Sequence, residues 1–159
     1  MSRLSAVSFF GKGGLMKFEF EECIKKCKIK EFSQGKSLLE KELSIAASDL
    51  TDAKEGFKRE KYKWATIQTY YSMFHAARAL LYVKNYREKS QHCLIVALRT
   101  LYVEKGKIPV HFIEILQKGK ALREDADYYN EWSKIGAEEM LEYAEEFLDM
   151  VKKIVGETK

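Results

Sequence analysis

The chain has 159 residues, 46% hydrophobic and 33% charged, with a single proline. That is enough for one domain with a real core, and too apolar for a disordered chain. The formal net charge of +4 permits an anionic partner without demanding one, and is a weaker basic bias than a dedicated duplex-DNA binder carries. No apolar run approaches the ~18 residues of a membrane span, so no membrane partner is expected.

Residues 1–15 are expected to be disordered or a mis-called start. Their apolar patch is too short for a signal peptide and lacks a small-residue cleavage site. Gly13-Gly14 just ahead of Met16 fits translated ribosome-binding sequence, which would place the start at Met16. Residues 16–36 read as an N-terminal helical extension, with Phe18, Phe20, Cys23, Ile24 and Cys27 as the apolar positions of a helix over 17–31. FSQGKS (32–37) breaks it.

From Ser37 to Lys58, Leu39, Leu43, Ala46, Leu50, Ala53 and Phe57 recur at three- and four-residue steps, predicting an amphipathic helix. The next helix spans Tyr62 to Val83. Its Ala65, Ser72, Ala76 and Ala79 would let a neighbouring helix approach closely. Asn85 suits the turn that follows. Ser90 is the best N-cap for a helix running to Lys105, which Gly106 stops. Ile108-Pro109 opens a further helix reaching about Leu122. After the polar stretch REDADYYNEW a last helix covers 133–155, with Ile135, Met140, Leu141, Ala144, Phe147, Leu148, Val151 and Ile154 as its buried stripe. No strand pattern is evident. The fold class predicted is all-α, an antiparallel up-and-down bundle of four to five long helices.

Three cysteines, Cys23, Cys27 and Cys93, lack the paired spacing of a zinc site. Cys23 and Cys27 lie one helical turn apart, but two thiolates do not close a tetrahedral shell. No metal and no cofactor are expected. Free thiols fit a reducing cytoplasm, and a cytoplasmic location is expected.

The residues with chemical potential lie in the YREKSQH connection. Arg87 offers a planar fork that matches phosphate oxygens and keeps its charge; Lys89 adds a second cation. With Ser90 as N-cap, His92 sits in the first helical turn, where free N–H groups and the helix dipole favour an anion. An imidazole there is suited to taking a proton near neutral pH. The same residues also describe an ordinary solvated helix connection. Tyr70, Tyr71, Phe74 and Tyr82 fit base-stacking platforms, or equally core and dimer interface. Arg123 fits an ion pair with Asp125 or Asp127, or a place at the phosphate site if its loop folds back. His75 reads as a hydrogen-bonded interior residue and His111 as exposed. Lys54, Lys58, Arg59, Lys61 and Lys63 form the densest basic cluster.

The YYSMFHAARALL run, the following KS…H loop, the GKIP turn, the Arg123…Ala126-Asp127-Tyr128 stretch and the closing AEEF-like run at Ala144 to Phe147 together resemble the HEPN domain (higher eukaryotes and prokaryotes nucleotide-binding). The resemblance covers roughly residues 38–155, making 37–156 a HEPN-like bundle. It implies a homodimer, a nucleotidyltransferase-type partner protein, and RNA or nucleotide as ligand. In many members of that family the domain is the toxin of a toxin–antitoxin pair and a metal-independent ribonuclease, marked by an arginine followed after four to six residues by a histidine. Arg87 and His92, with four residues between them, match that spacing and are the implied catalytic pair. Lys89, Ser90, Arg123 and Tyr71 are the expected nucleotide or RNA contacts, on the chemistry given above. Two departures stand out. Glu88 follows Arg87, where a small polar residue is common and where a carboxylate could neutralise it. Gln91 separates Ser90 from His92. The alternative is a non-catalytic interaction or nucleotide-sensing module.

Overall fold

The computed structural model describes residues 17–158; the expectations about residues 1–15 and Met16 fall outside them. Helix α1 spans 17–25. Strand β1 (Ile29–Glu31) precedes α2 (Gly35–Lys58) and α3 (Tyr62–Val83). Strand β2 (Tyr86–Glu88) leads into α4 (Gln91–Leu98), which continues as a π-helical turn (Arg99–Val103). Helices α5 (His111–Tyr128) and α6 (Lys134–Thr158) complete an all-α bundle. No helix of the described residues is long and apolar enough to cross a membrane.

Helix α3 is the axis around which α2, α5 and α6 pack. Its buried positions run round most of its circumference, as expected for a helix enclosed by others. Ala65, Ser72, Ala76 and Ala79 are all at most 1% exposed. The close approach they allow is seen directly, because Ser72 Oγ donates to the carbonyl of Ala46 on α2 at 2.7 Å. At its start α2 crosses the end of α3 so tightly that a Cβ at Gly35 would lie 2.6 Å from the Tyr82 carbonyl oxygen. Asn85 takes φ +60° in the turn after α3, and Gly106 takes φ +70° where the π-helical turn ends.

The structure corrects the sequence reading in five places. The helix expected over 17–31 ends early: Cys27 adopts φ +59°, the Lys28 N–H bonds back to the Cys23 carbonyl, and the chain turns into β1. Strands β1 and β2 form an antiparallel pair where no strand was expected, since three residues are too few to show a two-residue period. Helix α5 starts two residues after Pro109 and runs on through REDADY, so most of the supposed polar loop is helical. Ile135 is 74% exposed; at 100° per residue it sits about 140° round the helix from Met140, off the buried stripe. Finally, the thiols are not all free. Cys23 and Cys93 form a disulfide with Cα atoms 5.8 Å apart, 70 residues apart in sequence, and only the exposed Cys27 remains. Two cysteines so distant in sequence carry no spacing signal.

Candidate functional site

Three short elements converge where α3 ends. In the β1–β2 pair Ile29 lies opposite Glu88, Lys30 opposite Arg87, and Glu31 opposite Tyr86. The ladder continues at both ends: the Lys89 N–H donates to the Lys28 carbonyl at 2.8 Å, and the Phe32 N–H to the Asn85 carbonyl at 2.7 Å. Because side chains alternate along a strand, residues 86 and 88 face one way and 87 and 89 the other.

The inner face of β2 is fully compensated. Glu88 is 6% exposed and takes a two-pronged bond from Arg78, Nε to Oε1 at 3.0 Å and a terminal nitrogen to Oε2 at 2.8 Å. Arg78 also faces Glu42 Oε1 at 3.7 Å, and Glu42 Oε2 meets His75 Nδ1 at 2.7 Å. Burial works against the Arg78 charge, but the bond and field of Glu88 outweigh it and hold its pKa above the ordinary arginine value. Glu88 is therefore committed inward to Arg78 and does not neutralise Arg87.

The outer face is uncompensated. Arg87 and Lys89 are exposed, as are Lys28 and Lys30 across from them. The Arg87 guanidinium stands 5.3 Å over the ring of Phe32. Among the described residues no carboxylate lies within ion-pair reach of these four cations. A side-chain hydrogen bond with Lys30, and then its like charge, push the Lys89 pKa below the usual lysine value.

Helix α4 begins at Gln91, two residues after Lys89. Ser90 is its N-cap, extended at φ −142° and ψ 135°, with Oγ accepting from the Cys93 N–H at 3.2 Å. Among the described residues nothing accepts from the Gln91 and His92 N–H groups of the first turn. His92 is exposed, and among the described residues no hydrogen bond holds its ring. Gln91 anchors the turn from below: the Tyr70 hydroxyl donates to its Oε1 at 2.7 Å. Burial pushes the Tyr70 phenol well up, keeping it protonated as that donor.

Against this geometry, the HEPN domain matches residues 39–154. The chain belongs to the HEPN domain family. Two proteins of Methanocaldococcus jannaschii, each bearing the name "putative toxin", are similar to it. One is 34% identical over 116 residues, covering 72% of this chain and 87% of the relative. The other is 28% identical over 117 residues, covering 72% and 80%.

Arg87 is the middle residue of β2 and His92 lies in the first turn of α4, with Lys89 and Ser90 between them. Arg123 and Tyr71 lie elsewhere, Arg123 buried and Tyr71 half-buried. Arg123 is 8% exposed. Its guanidinium bonds the hydroxyls of Tyr71 at 2.8 Å and Tyr128 at 3.2 Å and pairs with Asp127 at 3.3 Å, while Nε is buried with no hydrogen-bond partner among the described residues. Its link to α4 is indirect, through the adjacent Tyr71 and Tyr70 and then Gln91. Tyr70, Phe74 and Tyr82 are core residues, at 1%, 8% and 1% exposed. His75 is the hydrogen-bonded residue expected, and His111 is exposed and meets Glu146 at 3.2 Å. The Lys54–Lys63 cluster lies at the other end of α3, roughly 30 Å away by helix rise; there Lys54 pairs with Glu145, and Lys63 sits over Trp64 and Trp132. Sequence reasoning missed Lys28 and Lys30, because only strand pairing brings them here. It missed the Glu88–Arg78 pair for the same reason: the strand's alternation decides which way Glu88 points.

Proposed function

We propose that this HEPN protein is a toxin-type ribonuclease that cleaves RNA without a metal ion, acts as a homodimer, and is held in check by a nucleotidyltransferase-type partner. One observation carries the reading: Arg87 and His92 are exposed with no carboxylate paired to them among the described residues, while the neighbouring Glu88 is turned inward. Charges left open at the mouth of a helix are suited to a phosphate, and the names of the relatives accord with the toxin role.

In the proposed step the neutral His92 imidazole accepts the 2′-hydroxyl proton of the RNA. The freed 2′-oxygen forms a bond to phosphorus, and the bond from phosphorus to the 5′-oxygen breaks. Arg87 holds the non-bridging oxygens as charge builds on them, aided by Lys89 and the open N–H groups of the first turn of α4. The departing 5′-oxygen needs a proton, and one histidine per site cannot both take and give it in a single step. The protonated His92 imidazole of a second copy supplies it, which is why the reading requires a dimer. Products are a 2′,3′-cyclic phosphate and a free 5′-hydroxyl. Ser90 sets the start of α4. Tyr71 and Arg123, through Tyr70 and Gln91, hold that turn in place and add a positive field behind it.

The test is digestion of RNA in excess EDTA by wild type, Arg87→Ala and His92→Ala. The expected result is cleavage by wild type with cyclic-phosphate ends, and loss in both variants with folding intact. Cleavage that EDTA abolishes, or equal activity in all three, overturns the mechanism. Nucleotide binding by calorimetry with no turnover would assign the non-catalytic module instead.

A further inference from the structure

The segment carrying α1 and β1 precedes the residues matched by the family, 39–154, yet it is built into the candidate site. Phe20 packs edge-on to Tyr86, Cys23 is bonded to Cys93 in the first turn of α4, and β1 covers the edge of the strand that holds Arg87. The register then sets Lys30 directly opposite Arg87, and the Lys28 carbonyl takes the Lys89 N–H. By strand alternation all four side chains stand on one face, as two cross-strand pairs of like charge, and all four are exposed. Like charges directly opposite in an antiparallel pair are destabilising. The carboxylates of the same ribbon are on the other face: Glu88 is bonded to Arg78, and Glu31 shares the alternation of Ile29. The Lys89 pKa, lowered by Lys30, is a second sign of this crowding.

We infer that the N-terminal segment is a working part of the ligand surface, with Lys28 and Lys30 binding the phosphate backbone of single-stranded RNA beside the Arg87–His92 centre. Strand spacing supports an extended chain as occupant. Residues two apart on a strand are about 6.6 Å apart, so the array offers its cations as two successive rows rather than one point. A linear polyanion uses both rows, and its binding relieves the repulsion within each pair. The inference rests on the RNA reading above, and goes beyond it in naming residues outside the family match.

The test is fluorescence anisotropy with a 2′-O-methyl oligouridylate, which cannot be cleaved through a 2′-hydroxyl. Wild type, Lys28→Gln/Lys30→Gln and Arg87→Ala are compared over a range of salt concentrations. Losing two phosphate contacts on a single strand lowers the slope of log K against log salt by about 1.4 and weakens binding on the order of 10-fold at moderate salt. Without RNA, the double variant melts no lower than wild type, because a repulsion has been removed. If wild type and Arg87→Ala differ while the lysine variant keeps wild-type affinity and slope, this inference fails and the RNA reading stands. If wild type does not bind the oligonucleotide, both fall. If the lysine variant retains RNA binding but loses a co-expressed acidic protein partner, the surface is a protein-docking face and the inference is overturned.

Discussion

Arg87 and Glu88 are neighbours on one short strand, and they meet opposite circumstances. The inward charge is bonded at both oxygens, tied through Arg78 to Glu42 and His75, and nearly closed to solvent. The outward charge is exposed, opposite Lys30 and over the ring of Phe32. A buried ion pair that satisfies itself has nothing left to offer a ligand, so its consequence is positional: it fixes the orientation of β2 against α3. An exposed, unpaired cluster does little for stability and keeps its affinity for something outside the chain. The same residue types, one position apart, thus divide into structure and candidate function by the alternation of a strand.

That division can be broken by experiment, and the largest effect expected is on catalysis. His92→Ala should lower metal-free RNA cleavage by roughly 10²–10⁴-fold, the usual contribution of a positioned acid or base. Its urea midpoint should move little, as for other surface substitutions. Next comes the tether between the N-terminal segment and α4. Cys23→Ser removes a cross-link closing a span of 70 residues. On the chain-entropy account that costs roughly 4 kcal/mol of stability against the oxidised protein, read by denaturant titration with and without reductant. Glu88→Ala leaves Arg78 facing only Glu42 at 3.7 Å. Roughly 3 kcal/mol should be lost, at the lower end for a broken buried pair because Arg78 retains some solvent contact. The smallest effect is on the outer face: Lys30→Glu should raise Tm by about 1–2 °C, by turning a repulsive cross-strand pair into an attractive one. It should weaken RNA binding at the same time.

Protonation sharpens the comparison. Lys30 depresses the Lys89 pKa, so the charged form of Lys89 is disfavoured in the free protein. The resulting cost is present at neutral pH and disappears as pH rises through the lowered value. An RNA phosphate beside Lys89 would push that pKa back up. Binding should therefore take up protons in the alkaline window below the ordinary lysine value of 10.5, and take up none through Lys89 at pH 7. Calorimetry in buffers of different ionisation enthalpy reads this, and the uptake should shrink in Lys30→Gln.

The bundle was legible in the sequence because long helices repeat their pattern many times. Leu39, Ala46, Leu50 and Ala53 mark the buried side of α2, and Met140, Ala144, Phe147 and Val151 that of α6, as the period predicts. Ser90 was legible as a cap, since its type and place before an apolar run carry the signal alone. What the sequence hid depends on contacts between distant residues. Lys30 meeting Arg87 and Cys23 meeting Cys93 leave no local trace, and three-residue strands are shorter than the period that would reveal them. The Arg87–His92 spacing was visible, but the fate of Glu88 was not, because it is decided by Arg78 ten residues earlier on α3.

The most direct test compares the two neighbours in one assay: RNA cleavage in EDTA, expressed per folded molecule, for Arg87→Ala and Glu88→Ala. The account predicts that Arg87→Ala loses cleavage while remaining as stable as wild type, and that Glu88→Ala keeps cleavage in whatever fraction stays folded. Cleavage surviving in Arg87→Ala, or lost equally per folded molecule in both, would contradict it.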